Sequence, residues 1–211
     1  LVDRDFTQGE PTLLLVTEEG VEEYDEDELK KRNISVVYLE EEDLNTEKLL
    51  DLQDEYKPTQ VMIEYNGMWQ LNKLFEIRVP KGWTIVQVIT LIDSTTFTVY
   101  NNNMKSLMAE HIQNADMVVY NRCTEDTDIN TMRMAVKTIN RRAQIVYENV
   151  NGQAQIDNGE IEIPYDLDAD VVEIEDEDFG IFYIDASDNP EKYVDKVVKF
   201  KGQVYCPPQY K

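Results

Sequence analysis

Short apolar runs rich in valine, isoleucine and leucine recur through the first 150 residues at wide, fairly even spacing. Near-continuous apolar runs of this length are typical of strands in a sheet that is covered on both faces. We predict six such strands, at residues 12–16, 34–39, 61–64, 85–92, 117–120 and 144–147.

Between these strands the apolar positions take the three- and four-residue spacing of helices with one buried face. Residues 104–112 and 129–139 show it most clearly, and a helix at residues 45–56 is ended by Lys57 and Pro58. Two shorter helices are predicted at residues 25–32 and 71–77. Because strand and helix alternate, residues 1–150 are predicted to form an α/β domain with a doubly wound, mostly parallel sheet.

The pattern changes after residue 150, where a polar stretch containing Gly152 indicates a linker. Asn158 and Gly159 predict a hairpin turn, and residues 189–193 a short helical turn. Residues 151–211 are therefore predicted to form a small, acidic, β-rich domain. Its strands are expected at residues 154–156, 161–163, 171–174, 179–184 and 196–205.

The charge of the chain restricts its partners. It carries 43 Asp and Glu against 20 Lys and Arg, a formal net charge of −23. This field repels phosphate backbones and anionic lipid surfaces, so neither nucleic acid nor a membrane is expected as a partner. Basic proteins, cations and Mg²⁺-neutralised nucleotides remain as possible partners.

The expected location of the protein is a reducing cytoplasm. The sequence has no apolar run long enough to span a bilayer, and Cys123 and Cys206 lie too far apart in sequence to indicate a disulfide framework.

Three landmarks resemble the CobW/HypB/UreG group of P-loop GTPases. Residues 61–67, Val-Met-Ile-Glu-Tyr-Asn-Gly, are similar to the Glu-Thr-Ser/Thr-Gly segment that ends one strand in that group. Residues 88–93, followed by Phe97, resemble the next strand, and residues 110–121 resemble a helix, Ala-Asp and the base-recognition strand. The resemblance covers residues 12–147. It implies a P-loop NTPase-like fold, GTP hydrolysis with Mg²⁺, and a metallochaperone or metal-cofactor maturation role, such as cobalamin synthesis.

The phosphate-binding pattern Gly-x-x-x-x-Gly-Lys-Ser/Thr occurs nowhere in this sequence. We expect it on a strand and helix upstream of Leu1, which makes the nucleotide domain incomplete at its N-terminus. GTP and Mg²⁺ are therefore expected in the intact protein, but neither is expected to bind this chain tightly. Whether the intact protein is an enzyme is left open, and no catalytic residue is assigned here.

The resemblance implies two groups of nucleotide-binding residues. In the first, Glu64 contacts Mg²⁺ indirectly, through one of the ion's ligands or through a water molecule, and Asn66 and Gly67 form the turn that approaches the γ-phosphate. A strand-end acid and a turn glycine would account for the same residues without any ligand. Glu64 stands at the predicted carboxyl end of a strand, where α/β sheets bind ligands.

The second group is Asn121, Arg122 and Cys123, which stand with Thr124 where relatives carry Asn-Lys-x-Asp. Asn121 would anchor the loop, the Arg122 stem would pack over the base, and Cys123 would lie near the nucleotide. Thr124 cannot offer a carboxylate to guanine, so base specificity stays open. A plain loop after a strand would need no function.

The C-terminal segment resembles the C-terminal domain of YcgQ-type bacterial proteins. Residues 189–205 are similar to its Pro-x-x-Tyr-x-x-Lys-x-Val-x-x-x-Gly-x-Val pattern, which implies an OB-like β-barrel continuing past Lys211. Two functions remain. One is part of a GTPase that serves a metal-cofactor protein. The alternative is a non-catalytic acidic interaction protein that keeps the fold without nucleotide turnover and binds a basic or metallated partner.

Overall fold

The computed structural model describes residues 7–18, 20, 24–159 and 163–203. The chain forms two compact units, Leu1–Val86 and Gln87–Lys211. The domain boundary predicted near residue 150 stays a prediction. No helix in the described residues combines the length and the apolar character that crossing a bilayer requires.

The described residues of the first unit form three strands that alternate with three helices. In chain order these are β1 (Thr12–Val16), α1 (Glu26–Lys31), β2 (Ile34–Tyr38), α2 (Thr46–Tyr56), β3 (Gln60–Glu64) and α3 (Leu71–Glu76). The strand order is β2-β1-β3, and both pairings are parallel. Side chains mark where the helices begin: Asp25 accepts from the Glu28 N–H before α1, and Asn45 from the Lys48 N–H before α2.

The sheet of the first unit is covered on both faces. The chain moves across the sheet in one direction from β1 to β2 and in the opposite direction from β2 to β3. Because both connections are right-handed, α1 and α2 lie on opposite faces of the sheet. Leu14 packs with Leu29 of α1. Leu13 packs with Leu49 of α2 on the other face. Every residue of β1 is therefore buried, as its apolar run from Leu13 to Val16 predicts.

The second unit begins with a parallel sheet that ends in one antiparallel strand. Its elements are β4 (Ile89–Asp93), α4 (Phe97–Asn103), α5 (Lys105–Asn114), β5 (Met117–Cys123), α6 (Ile129–Ile139), β6 (Gln144–Asn149) and β7 (Ala154–Ile156). The strand order is β4-β5-β6-β7, with β7 antiparallel to β6. The α/β class and the mostly parallel pairing are thus confirmed.

The core of this second sheet lies on one face. Its parallel strands follow one another in the same direction, so both right-handed crossovers return over the same side. Tyr120, at the centre of this core, is fully buried, meets Phe97 edge-on and stacks on Tyr147. Ile112 of α5 and Val136 of α6 complete the core.

A buried ion pair connects α6 to the segment that follows β7. The Nε atom of Arg133 donates to the two carboxylate oxygens of Asp157 at 2.9 and 3.0 Å. The two side chains are only 6% and 5% exposed. A buried pair of this kind is stable only when its geometry is good, and here the guanidinium meets the carboxylate side-on.

The rest of the second unit differs from its prediction. It contains β8 (Val172–Glu173), α7 (Phe179–Asp188), a 3-10 helix (Pro190–Tyr193) and β9 (Val198–Lys199), with β8 and β9 parallel. The strand predicted at residues 179–184 is wrong, because this apolar run forms the first part of α7. The helical turn at residues 189–193 is confirmed.

Other C-terminal predictions are tested only in part. The predicted hairpin partner at residues 161–163 lies almost wholly outside the described residues, and the strand at residues 196–205 is reduced to β9, with its last two residues and Cys206 also outside them. The OB-like barrel and the YcgQ-like resemblance stay predictions.

Candidate functional site

The carboxyl ends of β1 and β3 bring together the first group of predicted site residues. Glu64 is the last residue of β3, and Thr17 directly follows the neighbouring β1. The Thr17 hydroxyl donates to the Glu64 carbonyl oxygen at 2.9 Å and accepts from the Asn66 N–H at 2.9 Å. One hydroxyl therefore fixes the turn that leaves β3 against the end of β1.

The Glu64 side chain is held by a tyrosine that the sequence analysis did not single out. The Tyr24 hydroxyl donates to Glu64 Oε2 at 2.7 Å. Burial, together with the hydrogen bond and charge of Glu64, raises the pKa of Tyr24 to about 12, so the phenol keeps its proton at neutral pH. A carboxylate has about four lone-pair sites. Glu64 can therefore also accept from a water molecule on a hydrated Mg²⁺.

Asn66 and Gly67 form the turn after β3. The Asn66 Oδ1 atom accepts from the Met68 N–H at 2.9 Å, an arrangement typical of an Asx turn. A Cβ atom at Gly67 would meet no atom within 4 Å, and its φ lies outside the left-handed region. Nothing in the described part of this unit thus requires a glycine at position 67. A glycine there would allow a ligand to approach the backbone closely, because glycine has no side chain.

The end of β5 contains the second group, and a bulge shapes it. The pairing of β5 with β6 shifts register between Tyr120 and Cys123. Arg122, within this shift, has a φ of 57°, in the left-handed region that non-glycine residues seldom adopt. Such bulges redirect side chains and are frequent beside functional sites.

Arg122 reaches across to the end of β4. Its Nη1 atom contacts Asp93 Oδ2 at 2.5 Å, and its side chain is 67% exposed. Asp93 Oδ1 accepts from the N–H of Thr95 at 2.9 Å and from its hydroxyl at 2.6 Å. Burial alone would raise the pKa of Asp93, but the Thr95 hydrogen bonds and the Arg122 guanidinium lower it. Asp93 is therefore an ionised anchor for Arg122.

Asn121, Cys123 and Thr124 have different surroundings. The Asn121 Oδ1 atom is buried and has no hydrogen-bond partner among the described residues. The Cys123 thiol faces the core at 7% exposure, and burial raises its pKa, so it is not an activated nucleophile. The Thr124 N–H donates to Thr127 Oγ1 at 2.8 Å, which places Thr124 in a local turn.

The donor set fits a Mg²⁺ ion that arrives with nucleotide phosphates. In the part of the chain that the structure describes, no group of three His, Cys, Asp or Glu residues could hold a metal ion. Mg²⁺ commonly keeps several waters and takes only one or two protein carboxylates beside the phosphates. Glu64, a single carboxylate at a strand end, suits that role rather than a metal cage built by the protein alone.

The six predicted site residues fall into two groups by unit. Glu64, Asn66 and Gly67 belong to the first unit, and Asn121, Arg122 and Cys123 to the second. Sequence reasoning missed Thr17 and Tyr24, and it took Asp93 only as a landmark. Thr17 and Asp93 could have been found by their position, because each stands at the carboxyl end of an apolar strand.

The comparison with protein families places these features in a known group. The sequence model described as CobW/HypB/UreG, nucleotide-binding domain, matches residues 16–147. Comparisons with curated proteins and with solved structures gave no match. The matched segment runs from the end of β1 to within β6, so it includes both groups of strand-end residues. The chain belongs to the CobW/HypB/UreG family, and residues 16–147 represent its nucleotide-binding domain.

Proposed function

We propose that this chain is part of a CobW-like GTPase with a metallochaperone or metal-cofactor maturation role. The observation that carries the proposal is the arrangement of Thr17, Glu64 and Asn66 at the carboxyl end of a parallel sheet, in a chain of a nucleotide-binding family. That edge of an α/β sheet is where such folds bind ligands. The chain alone is inactive in this proposal, because its sequence lacks the phosphate loop.

The proposal gives each group of predicted site residues a role within its own unit. Glu64 would hold Mg²⁺ through a water molecule, and Asn66 and Gly67 would bind the phosphate end of the nucleotide. Asn121 anchors the base-recognition loop, and its buried Oδ1 atom is an acceptor for a donor that the ligand brings. The Arg122 stem packs on the base while Asp93 holds its guanidinium. Cys123 supports the loop from the core side.

Calorimetric titration of GTP and ATP, each with Mg²⁺, tests this proposal. The protein to titrate is the chain extended upstream to its natural start, with the 211-residue chain as the control. We expect micromolar GTP binding by the longer protein and none by the control. Loss of GTP binding on changing the upstream phosphate-loop Lys to Ala would identify the site. Absence of binding of either nucleotide by the longer protein would contradict the proposal.

A Glu64→Gln variant of the longer protein tests the Mg²⁺ role. Because the amide loses the charge that holds a hydrated cation, we expect GTP affinity to fall about tenfold with Mg²⁺. In EDTA, where no Mg²⁺ is bound, the variant and the parent should bind GTP equally. An equal loss under both conditions would show that Glu64 acts on the fold and not on the metal.

A second candidate is the acidic interaction protein. The observation that favours it lies at the end of β5, where Thr124 replaces a carboxylate and engages its N–H in a local turn. In this reading the fold persists, nucleotide turnover is lost, and the net charge of −23 attracts a basic or metallated protein in the cytoplasm. Tight and specific GTP binding by the longer protein would exclude it.

A further inference from the structure

A cavity of about 330 Å³ lies in the first unit, between the loop that follows β2 and helix α3. Apolar side chains connect it to the core: Leu44 is buried, and Leu74 and Ile77 pack against the same cluster. Its volume is at the lower end of the range of ligand pockets, which begins at about 300 Å³. A cavity of this size suits one side chain or another small group.

Two aromatic side chains line this cavity, and hydrogen bonds fix the turn that carries them. The rings of Tyr65 and Trp69 meet edge-on, with their centroids 5.6 Å apart, and both side chains are half-buried. The Tyr65 hydroxyl donates to the Gln70 carbonyl at 2.9 Å, and the Trp69 N–H donates to the Asn66 carbonyl at 3.0 Å. The two rings are therefore in place before a ligand arrives, which lowers the entropy cost of binding.

Acidic side chains line the same cavity. Glu41 and Glu42 belong to a loop of consecutive acidic residues at positions 40–43. Glu41 pairs with Lys73 at 2.5 Å, and both side chains are well exposed, so this pair contributes little to stability. The lining residues thus carry two carboxylates against one ammonium. A cation is therefore favoured in the cavity, and an anion such as phosphate is repelled.

We propose that this cavity receives an arginine side chain of a basic partner protein. A guanidinium is planar and weakly hydrated, so it can stack on Trp69 while it donates a pair of hydrogen bonds to Glu42. A lysine ammonium fits less well, because it is strongly hydrated and cannot form the paired hydrogen bonds. Tyrosine, tryptophan and arginine are also the residues that protein interfaces favour. The inference rests on the basic partner of the second candidate function, and it needs no nucleotide.

Titration of the 211-residue chain with a short arginine peptide, followed by NMR, tests the proposal. The probe is acetyl-Gly-Arg-Gly-amide. We expect the backbone amides of Glu42 and Lys73 and the indole N–H of Trp69 to shift with a Kd of about 1 mM, because one side chain provides the binding. The indole N–H of Trp83 donates to Gln53 and is the internal control, which should not shift. Unshifted signals from all three cavity residues at about ten times that Kd would overturn the proposal.

Two altered peptides test which property of arginine the cavity recognises. Lysine in place of arginine keeps the charge but loses the planar group, and citrulline keeps the planar shape but loses the charge. We expect the lysine peptide to bind about fivefold more weakly and the citrulline peptide about tenfold more weakly. Equal binding of either altered peptide would overturn the assignment to arginine.

Substitutions in the cavity provide a second test. Glu42→Gln and Trp69→Leu should each weaken binding of the arginine peptide about fivefold, whereas Trp69→Phe, which keeps an aromatic ring, should retain most of it. Glu26→Gln is the matched control, because it removes the same charge from α1 on the opposite face of the sheet, and it should leave the Kd unchanged. Circular dichroism checks the fold of each variant. Glu42 is exposed, so its variant keeps the test valid even if Trp69→Leu unfolds.

The outcomes separate this inference from the proposed function. An equal loss of binding in Glu42→Gln and Glu26→Gln would show that only net charge attracts the peptide, which overturns the cavity and leaves the basic partner standing. Binding that Glu42→Gln does not weaken would also overturn the cavity. GTP binding by the longer protein, without arginine binding, would overturn the cavity and leave the GTPase standing. Selective arginine binding by a protein that binds no GTP would support the cavity and contradict the GTPase.

Discussion

The contact between Tyr24 and Glu64 is the side-chain interaction that most directly controls a predicted ligand group. Tyr24→Phe removes the 2.7 Å hydrogen bond and little else. We expect the free energy of unfolding to fall by about 0.5–1.5 kcal/mol, the usual net value of one hydrogen bond. Urea unfolding measures it. Tyr183→Phe is the matched control, because Tyr183 is 58% exposed. An equal loss in both variants would show that the Glu64 bond contributes nothing specific.

A buried carboxylate, Asp185, organises the C-terminal part of the second unit. It is fully buried and accepts from Asn189 at 2.7 Å, Lys192 at 3.0 Å and the Tyr193 hydroxyl at 2.7 Å. Burial alone would raise the pKa of Asp185, but these three donors lower it. The charged form is therefore the one that the fold stabilises.

The lowered pKa of Asp185 gives a pH dependence with a definite sign. Because the folded pKa lies below the unfolded one, the stabilisation is fully present above about pH 4 and is lost as the pH falls below it. Asp185→Asn should lower the free energy of unfolding by about 2–4 kcal/mol at pH 7 and by less at pH 3. Urea unfolding at both pH values measures this.

Asp188→Asn is the control for that experiment. Asp188 pairs with Arg141, but its side chain is 45% exposed. Because the pair is exposed, Asp188→Asn should lower the free energy of unfolding by less than about 1 kcal/mol at either pH. A cost for Asp185→Asn that does not change with pH would mean that the carboxylate is not ionised in the folded chain.

Among the helices, α6 and α7 meet at a glycine. A Cβ atom at Gly180 would lie 2.8 Å from Met134 Cε, the flexible end of that side chain. Gly180→Leu should lower the free energy of unfolding by about 1–3 kcal/mol, because the larger side chain forces the helices apart. Gly180→Ala is the control and should be close to neutral, since Met134 can shift and alanine favours helix by about 1 kcal/mol. Thermal and urea unfolding measure both, and a tolerated leucine would contradict the close packing.

The sequence pattern predicts most elements of this fold but fails at α7. Strands form at all six predicted places up to residue 147, because each is an apolar run between polar turns, although the fourth, predicted at residues 85–92, begins only at Ile89. At residues 179–184 the run Phe-Gly-Ile-Phe-Tyr-Ile has no polar residue to reveal its period, so strand and helix could not be told apart. What decides for helix is packing, with Gly180 against Met134 of α6 and Ile184 buried. Those contacts are not visible in the local sequence.

The candidate site could be predicted by position but not by contact. Glu64 and Asn121 were singled out by the resemblance to the CobW/HypB/UreG group, and each stands at or near the end of an apolar strand. The Thr17–Glu64 bond joins residues 47 apart, and the Asp93–Arg122 pair joins residues 29 apart. Both depend on which strands are neighbours and in what register, and local pattern does not supply that information. The bulge that redirects Arg122 was likewise invisible in the sequence.

At the scale of the whole molecule, the net charge of −23 should make stability depend on salt. Most ion pairs among the described residues are exposed and contribute little attraction, so little is lost when salt screens them. The same salt weakens the repulsion between the excess acidic side chains, which destabilises the folded chain. Raising NaCl from about 0.01 to 0.3 M should therefore raise the Tm by a few degrees. For a chain of this length, that shift corresponds to a rise of about 1 kcal/mol in the free energy of unfolding. Differential scanning calorimetry measures it.

The identity of the salt separates general screening from cation binding. Screening depends on ionic strength, so NaCl, KCl and choline chloride should raise the Tm equally at equal ionic strength. A rise with only one cation would indicate a specific site among the acids. A Tm that falls with all three salts would mean that attraction between opposite charges outweighs the repulsion. The acidic surface would then be internally compensated, and the argument that it attracts a basic partner would lose its physical basis.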